Sequence, residues 1–157
     1  MVNIFYFLKV LPPLPLALAD AGVYHSVKKV GAVYQVVEEP QPWTTNFGQP
    51  PLLHLQPAEK LYLYSSVFAP VRLSTVIIHR WEWFDPAHRK WQPQSQVSFA
   101  IRGGRDAGYR GYSIKTKPKA GDWRENITTG DGRPLGRIRF AVALGAPLQP
   151  LQAKVLR

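Results

Sequence analysis

The stretch RGGRDAGYRGYS, Arg102 to Ser113, gathers three arginines, two tyrosines and four glycines into twelve residues. Guanidinium forks hold phosphate, sulfate or carboxylate through paired donors. Glycines at 103, 104, 108 and 111 permit positive φ, so consecutive N–H groups could form an anion-holding nest. Tyr109 and Tyr112 offer rings that stack on a sugar or a base. With Lys115 just beyond, the candidate set for an anion or a partner is Arg102, Arg105, Tyr109, Arg110, Tyr112 and Lys115. The same composition also fits a long hairpin connection. Its glycines would then serve turn geometry, and its arginines would sit in water or pair with Asp106 and Glu125. The glycine spacing fits neither the dinucleotide fingerprint nor the P-loop, since no GK[ST] and no helical pattern follow.

Other chemistry has less support. His79 and Glu82 lie close together in HRWEW, but parity puts His79 on an apolar face, where a hydrogen-bonded structural histidine is the common case. Histidines 25, 54, 79 and 88 show no HxH or HExxH spacing, so no metal is expected. There is no cysteine, hence no disulfide, thiolate site or cysteine nucleophile. No G-x-S-x-G elbow appears, and the ten acidic residues show no evident catalytic pair. No cofactor motif is present. Asn126-Ile127-Thr128 matches a glycosylation sequon by pattern only.

The 157 residues suit one domain. Twenty Lys plus Arg against ten Asp plus Glu give a formal charge of +10, a field that attracts polyanions. A basic β domain with aromatic residues can bind single strands, but no RNP-type run or zinc knuckle is present, which weighs against nucleic acid. Residues 1–22 form an apolar lead-in broken by Lys9 and Pro12-Pro13, too interrupted for a spanning helix. Ala17-Leu18-Ala19 looks like a signal-peptidase site, yet no positive charge precedes the apolar part. The segment reads better as the end of a membrane region or as an extended piece packed on the domain.

The elements that must position these residues are strands. Fifteen prolines, twelve glycines and abundant aromatics favour short strands and turns. VYHSVKKVGAVYQVVEE (23–39) reads as strands split at Gly31, and residues 40–59 as a proline-rich loop. Runs at 61–69, 74–84, 96–102, 111–117, 122–129 and 135–142 are each closed by proline or glycine. Such recurrence predicts an all-β sandwich or barrel. Residues 143–157 read as a partly ordered tail. Period two puts Ile77, His79, Trp81 and Trp83 on one side of their strand, and Arg80 and Glu82 on the other. It points Ile138, Phe140 and Val142 inward, Arg137 and Arg139 outward. Glu125 violates the pattern, because it shares a side with Trp123 and Ile127. An edge strand or an arginine partner would explain it.

From Leu61 onward the chain resembles the bacterial domain-of-unknown-function family 2914. The resemblance is carried by SSVFAP (65–70), HRWEW (79–83), IRGGR (101–105), GYRGYSIK (108–115), GDWR (121–124) and GRPLGRIRF (132–140), in the expected order and spacing. LPPLPLALADAGVYHSVKK (11–29) is similar to the segment that follows membrane-spanning helices in longer members. The resemblance implies an immunoglobulin-like antiparallel β-sandwich, here with an irregular proline-rich lead-in. It also implies membrane anchoring through an upstream region, and it implies no activity. One departure is visible. The family tends to continue GDWR as an alternating apolar strand, and Glu125-Asn126 interrupt it, which puts the pairing of that strand in doubt.

The expectation is therefore a lead-in at 1–22, one β-sandwich at 23–142 with its family match at 61–142, and a tail at 143–157. The function expected is non-catalytic binding at the bacterial cell envelope, associated with the inner membrane on its periplasmic side. A basic surface would meet lipid headgroups, an envelope glycan or an acidic protein. Two alternatives stay open: an enzyme acting on envelope polysaccharide, and a structural domain docked on its own membrane region.

Overall fold

The computed structural model describes residues 16–41, 49–69, 74–102, 105–147 and 149–156, with backbone alone at Ala69, Ser74, Arg102 and 105–108. The chain forms β1 (Ala17–Tyr24), β2 (Ser26–Val30), β3 (Val33–Glu38), β4 (Leu52–Leu55), β5 (Leu61–Ala69), β6 (Ser74–Asp85), β7 (Lys90–Arg102), β8 (Arg105–Lys115), β9 (Gly121–Thr129), β10 (Pro134–Leu144) and β11 (Gln152–Leu156). They make three sheets, ordered β1-β5-β8, β4-β10-β9-β6-β7 and β11-β3-β2. All pairings are antiparallel except β4 with β10. The expected fold class, an antiparallel all-β sandwich, is what forms. Among the described residues no helix is long and apolar enough to cross a membrane.

Period two builds the main core. Leu61, Leu63 and Val67 of β5 face Ile77, Trp81, Ile101, Trp123, Ile127, Phe140 and Val142 of the five-stranded sheet, with Leu53 and Leu55 of β4. Trp123 stacks on Phe140 at 6.3 Å, and Trp81 meets both rings edge-on. Burying one such side chain stabilises by roughly 1.5–3 kcal/mol. The other parity of β5 carries Tyr64, also buried, against Tyr24, Val27, Tyr34, Val36 and Leu156. The middle sheet β1-β5-β8 is thus packed on both faces, and the third sheet lies on the face away from the main core.

Four elements differ from the sequence expectation. β1 starts at Ala17, so residues 17–22 belong to the sandwich and pair with β5 as far as Phe68. Leu52–Leu55, inside the expected loop, is a parallel strand on the free edge of β10. The expected tail holds β11, which pairs with β3. The Arg/Gly/Tyr stretch is mostly strand: only 103–104 separate β7 from β8, and a bulge opposite Val67–Ala69 absorbs the extra residues of β8.

Candidate functional site

β7 and β8 follow each other in sequence yet end two different sheets. Their connection therefore crosses from one layer to the other rather than closing a hairpin. Arg102 stands in register with Ser74 at the end of β7, and Arg105 in register with Ala69 at the start of β8. Gly103 and Gly104, on which the anion nest depends, lie outside the described residues. Lys115 sits at the far end of β8, opposite Leu61, so the candidate set is spread along a strand.

Arg110 is engaged within the chain. Its Nη2 donates to the Ala32 carbonyl at 2.7 Å, and its guanidinium lies 5.3 Å from the centre of the Tyr34 ring. The Tyr34 hydroxyl donates in turn to the Arg110 carbonyl at 3.2 Å. Nη1 is buried without a hydrogen-bond partner. This arginine is a strut tying the β2–β3 turn to the middle sheet. Tyr112 is half-exposed, 6.0 Å from Tyr62 and 6.4 Å from Tyr34. With Tyr109, Phe99, Ala100 and Ile101 it lines a cleft of about 500 Å3 between β7 and β8.

The arginines that do gather are elsewhere. Register places Arg139 opposite Arg124 and Arg124 opposite Glu82; in the next row Arg137, Asn126, Arg80 and Gln96 follow across four strands. These side chains share the outer face of the five-stranded sheet. Arg124 donates to Glu82 at 2.7 Å, and Asn126 donates to the same oxygen. Arg137 donates to Asn126 at 2.7 Å and Arg80 to Gln96 at 3.2 Å. Arg124 and Arg139 lie 4.5 and 5.7 Å from the centre of the Trp91 ring, and Phe84 meets that ring at 5.3 Å. Of the four guanidinium groups on this face only Arg124 pairs with a carboxylate, Glu82. Like charges directly opposite on a sheet repel; Glu82 pairs with Arg124, and the Trp91 ring lies against both Arg124 and Arg139. Outward parity of Arg80, Arg137 and Arg139 was legible in the sequence; their convergence through β9 was not.

Buried titratable groups form two further clusters. His79 accepts or donates through both ring nitrogens, to Ser65 Oγ at 2.7 Å and Ser113 Oγ at 2.8 Å. Burial pushes its pKa down to about 4, so it is a neutral structural histidine on the apolar face expected of it. The second cluster was not anticipated. Glu39 lies 3.0 Å from His25 Nε2 and 2.5 Å from His54 Nδ1, and its other contact is the His54 N–H at 2.8 Å. His25 Nδ1 reaches Glu59 at 2.5 Å. Burial raises the Glu39 pKa, but the His54 N–H and the two imidazoles outweigh it and hold the carboxyl below its ordinary value. The described residues contain no group of three or more ligands able to hold a metal.

Glu125 resolves otherwise than either expected explanation. β9 is an interior strand, paired with both β10 and β6. No arginine reaches the carboxyl; both oxygens are buried without a hydrogen-bond partner. Burial, with Glu82 adding repulsion, raises its pKa well above the usual carboxylate range. The interruption at Glu125-Asn126 therefore leaves the strand pairing intact.

Comparison with protein families settles what the central strands are. Residues 74–142 match the family described as Protein of unknown function (DUF2914). They are a DUF2914 domain. The DUF2914 stretch runs from β6 into β10 and so contains the arginine face and both walls of the cleft; β5 lies outside it. No curated protein matches the chain in sequence. Among solved structures the chain is similar to Pseudomonas fluorescens alkylpurine DNA glycosylase AlkC bound to DNA containing an abasic site analog. The identity is 11% and the TM-score 0.50, over 90% of this chain and 34% of that one. It is also similar to an immunoglobulin-like protein from Pseudomonas aeruginosa (15% identity, TM-score 0.39, 80% of this chain and 99% of that chain). A third is beta-glucosidase from Listeria innocua (11% identity, TM-score 0.41, 87% and 17%). At these identities the likeness is one of fold. The chain spans about a third of the glycosylase and less of the glucosidase.

Proposed function

We propose that this chain is a non-catalytic binding domain of a bacterial membrane-associated protein, and that an anionic partner meets it on the arginine face of the five-stranded sheet. One observation carries the reading: Arg80, Arg124, Arg137 and Arg139 share a face, and of the four only Arg124 is ion-paired, with Glu82. Arg80, Arg137 and Arg139 are exposed, and Trp91 fixes two of the guanidinium groups in place. Prepositioned guanidinium forks lose little side-chain entropy on meeting an anion. An anionic lipid surface suits a flat array, at about 1 kcal/mol per basic residue close to the membrane. The membrane setting rests on the resemblance of residues 11–29 and on the charge of +10. The inner membrane, periplasmic side, is part of the same proposal.

The test is co-sedimentation of the chain with phosphatidylglycerol-containing and neutral vesicles across a salt series. Binding should be confined to the anionic vesicles and fade as the Debye length shortens from about 10 Å at 0.1 M salt to about 3 Å at 1 M. The Arg80→Ala/Arg137→Ala/Arg139→Ala triple variant should lose at least tenfold in affinity. If it sediments like the wild type, this face is not the contact. If neither binds, the lipid is not the partner.

A further inference from the structure

We infer that the hollow beside Trp91, at one end of the arginine face, takes the phosphoethanolamine headgroup of a membrane lipid. This rests on the lipid reading proposed above and names the headgroup that this end of the face selects. Register builds the hollow. Trp91 stands opposite Phe84, and Phe84 comes beside Asp122 one step beyond the Trp83–Trp123 pair. Asp122 pairs with Ala141 and Arg124 with Arg139, so Asp122 and Arg139 are diagonal neighbours on adjacent strands. Phe84, Trp91, Asp122 and Arg139, with Pro50, line a cavity of about 370 Å3. Trp123 and Phe140 also line it, but their rings point into the main core, so they offer it backbone.

Two opposite charges border this cavity without meeting. Asp122 and Arg139 are both exposed, and neither has a hydrogen bond or an ion pair among the described residues. Diagonal neighbours on a sheet lie about 7–8 Å apart, within reach of an arginine. The Arg139 guanidinium turns instead toward Trp91, 5.7 Å from the ring centre. An anion alone would meet the Asp122 carboxylate, and a cation alone would meet Arg139 and Arg124. A ligand carrying both charges on a short linker satisfies both ends. The rings decide which end goes where. Phe84 and Trp91, 5.3 Å apart and inclined at 69°, make a corner beside Asp122. Aromatic rings next to a carboxylate suit an ammonium, and a guanidinium fork suits a phosphate. The phosphate end then lies toward Arg124, Arg137 and Arg80, along the proposed membrane contact. A primary ammonium is favoured over a quaternary one, because Asp122 can accept its N–H bonds and two rings do not close a cage.

The experiment follows the Trp91 indole N–H of the 15N-labelled chain during titration with glycerophosphoethanolamine up to about 10 mM, a range suited to one weak headgroup contact. The signal should shift and saturate, and glycerophosphocholine and glycerophosphoglycerol should bind at least about fivefold more weakly. Asp122→Asn should erase that preference and keep the fold, since the Asp122 side chain holds no bond among the described residues. One headgroup contact adds to the charge attraction and does not replace it. On vesicles of fixed phosphatidylglycerol content, exchanging phosphatidylcholine for phosphatidylethanolamine should therefore tighten binding at least about threefold for the wild type, and not for Asp122→Asn. The inference is overturned if glycerophosphoethanolamine leaves Trp91 unshifted, if the three headgroups bind alike, or if Asp122→Asn keeps the preference. It also falls if free phenylalanine shifts Trp91 where glycerophosphoethanolamine does not. Binding to phosphatidylglycerol vesicles without an ethanolamine preference would sink this inference and leave the arginine face standing. Shifts by the soluble headgroup with no vesicle binding at all would sink both.

Discussion

The two faces of β5 are packed by different chemistry. Toward the five-stranded sheet it presents Leu61, Leu63 and Val67 to a core of indole and phenyl rings. Toward the third sheet it presents Tyr64 to a cluster in which three of the six buried residues are tyrosines, with the Arg110 strut alongside. The first interface gains its stability from area and shape. The second is assembled from groups with polar ends, and the β1–β2 junction and β4 are tied to the chain beyond β3 by the His25–Glu39–His54–Glu59 network. The DUF2914 stretch supplies most of the first interface; the segments on either side of it supply most of the second. Apolar packing tolerates changes of pH and salt, whereas the flanking attachment should not.

The largest effect should come from the dry face. Trp123→Ala removes a fully buried indole stacked on Phe140 and should cost about 3–5 kcal/mol. Urea unfolding at pH 7 would read this as a lower midpoint for every probe at once. A variant that lost only the third sheet would show that the two interfaces are weighted the wrong way round here.

Glu39→Ala comes next and strikes the polar face. It strips two imidazoles and the His54 N–H of their acceptor and should cost about 3 kcal/mol, the size seen when a buried pair is broken. The native carboxyl is held below its ordinary pKa, so its stabilisation is complete above the unfolded value, near 4.5, and is lost as pH falls through the folded one. The wild type should therefore lose stability on acidification more steeply than Glu39→Ala. Parallel melting curves of the two between pH 3 and 6 would contradict that assignment.

How far the sequence reaches follows from the same division. β6 and β10 declare themselves because alternation over Ile77, His79, Trp81 and over Ile138, Phe140, Val142 reports a face buried against a sheet. β4 and β11 have four and five residues and no period of their own. They are strands only because partners far away in sequence, Ala141 for Leu52 and Glu38 for Gln152, lend them an edge. The site divides likewise. Outward arginines can be read by parity, but Arg80 and Arg137 become neighbours only through Asn126, by a register that a one-dimensional pattern does not contain. Arg110 looks available until Ala32, 78 positions earlier, claims it. The glycine-rich stretch misleads because bulged strands and loops draw on the same residues.

Glu125 is the exception inside the dry face, and it sharpens the comparison. Its carboxyl has no partner, and burial raises its pKa. As pH rises above about 4.5 the unfolded chain releases this proton more readily than the folded chain, so the carboxyl costs stability increasingly with pH. Glu125→Leu should stabilise by about 1–3 kcal/mol at pH 7, with the gain shrinking toward pH 4. Thermal melts across that range decide it; a loss of stability at pH 7 would mean that the carboxyl has a use the packing does not reveal.

The smallest effect tests the strut. Arg110→Met keeps much of the side-chain stem but removes the bond to Ala32 and the cation over Tyr34, and should cost about 1–2 kcal/mol. What matters is where the loss appears. Because Arg110 joins the β2–β3 turn to β8, amide exchange should quicken in β2, β3 and β11 and leave β6, β9 and β10 near wild-type protection. Uniform quickening across both groups would mean that the third sheet and the sandwich unfold as one unit. The contrast between the two faces of β5 would then be one of composition and not of stability.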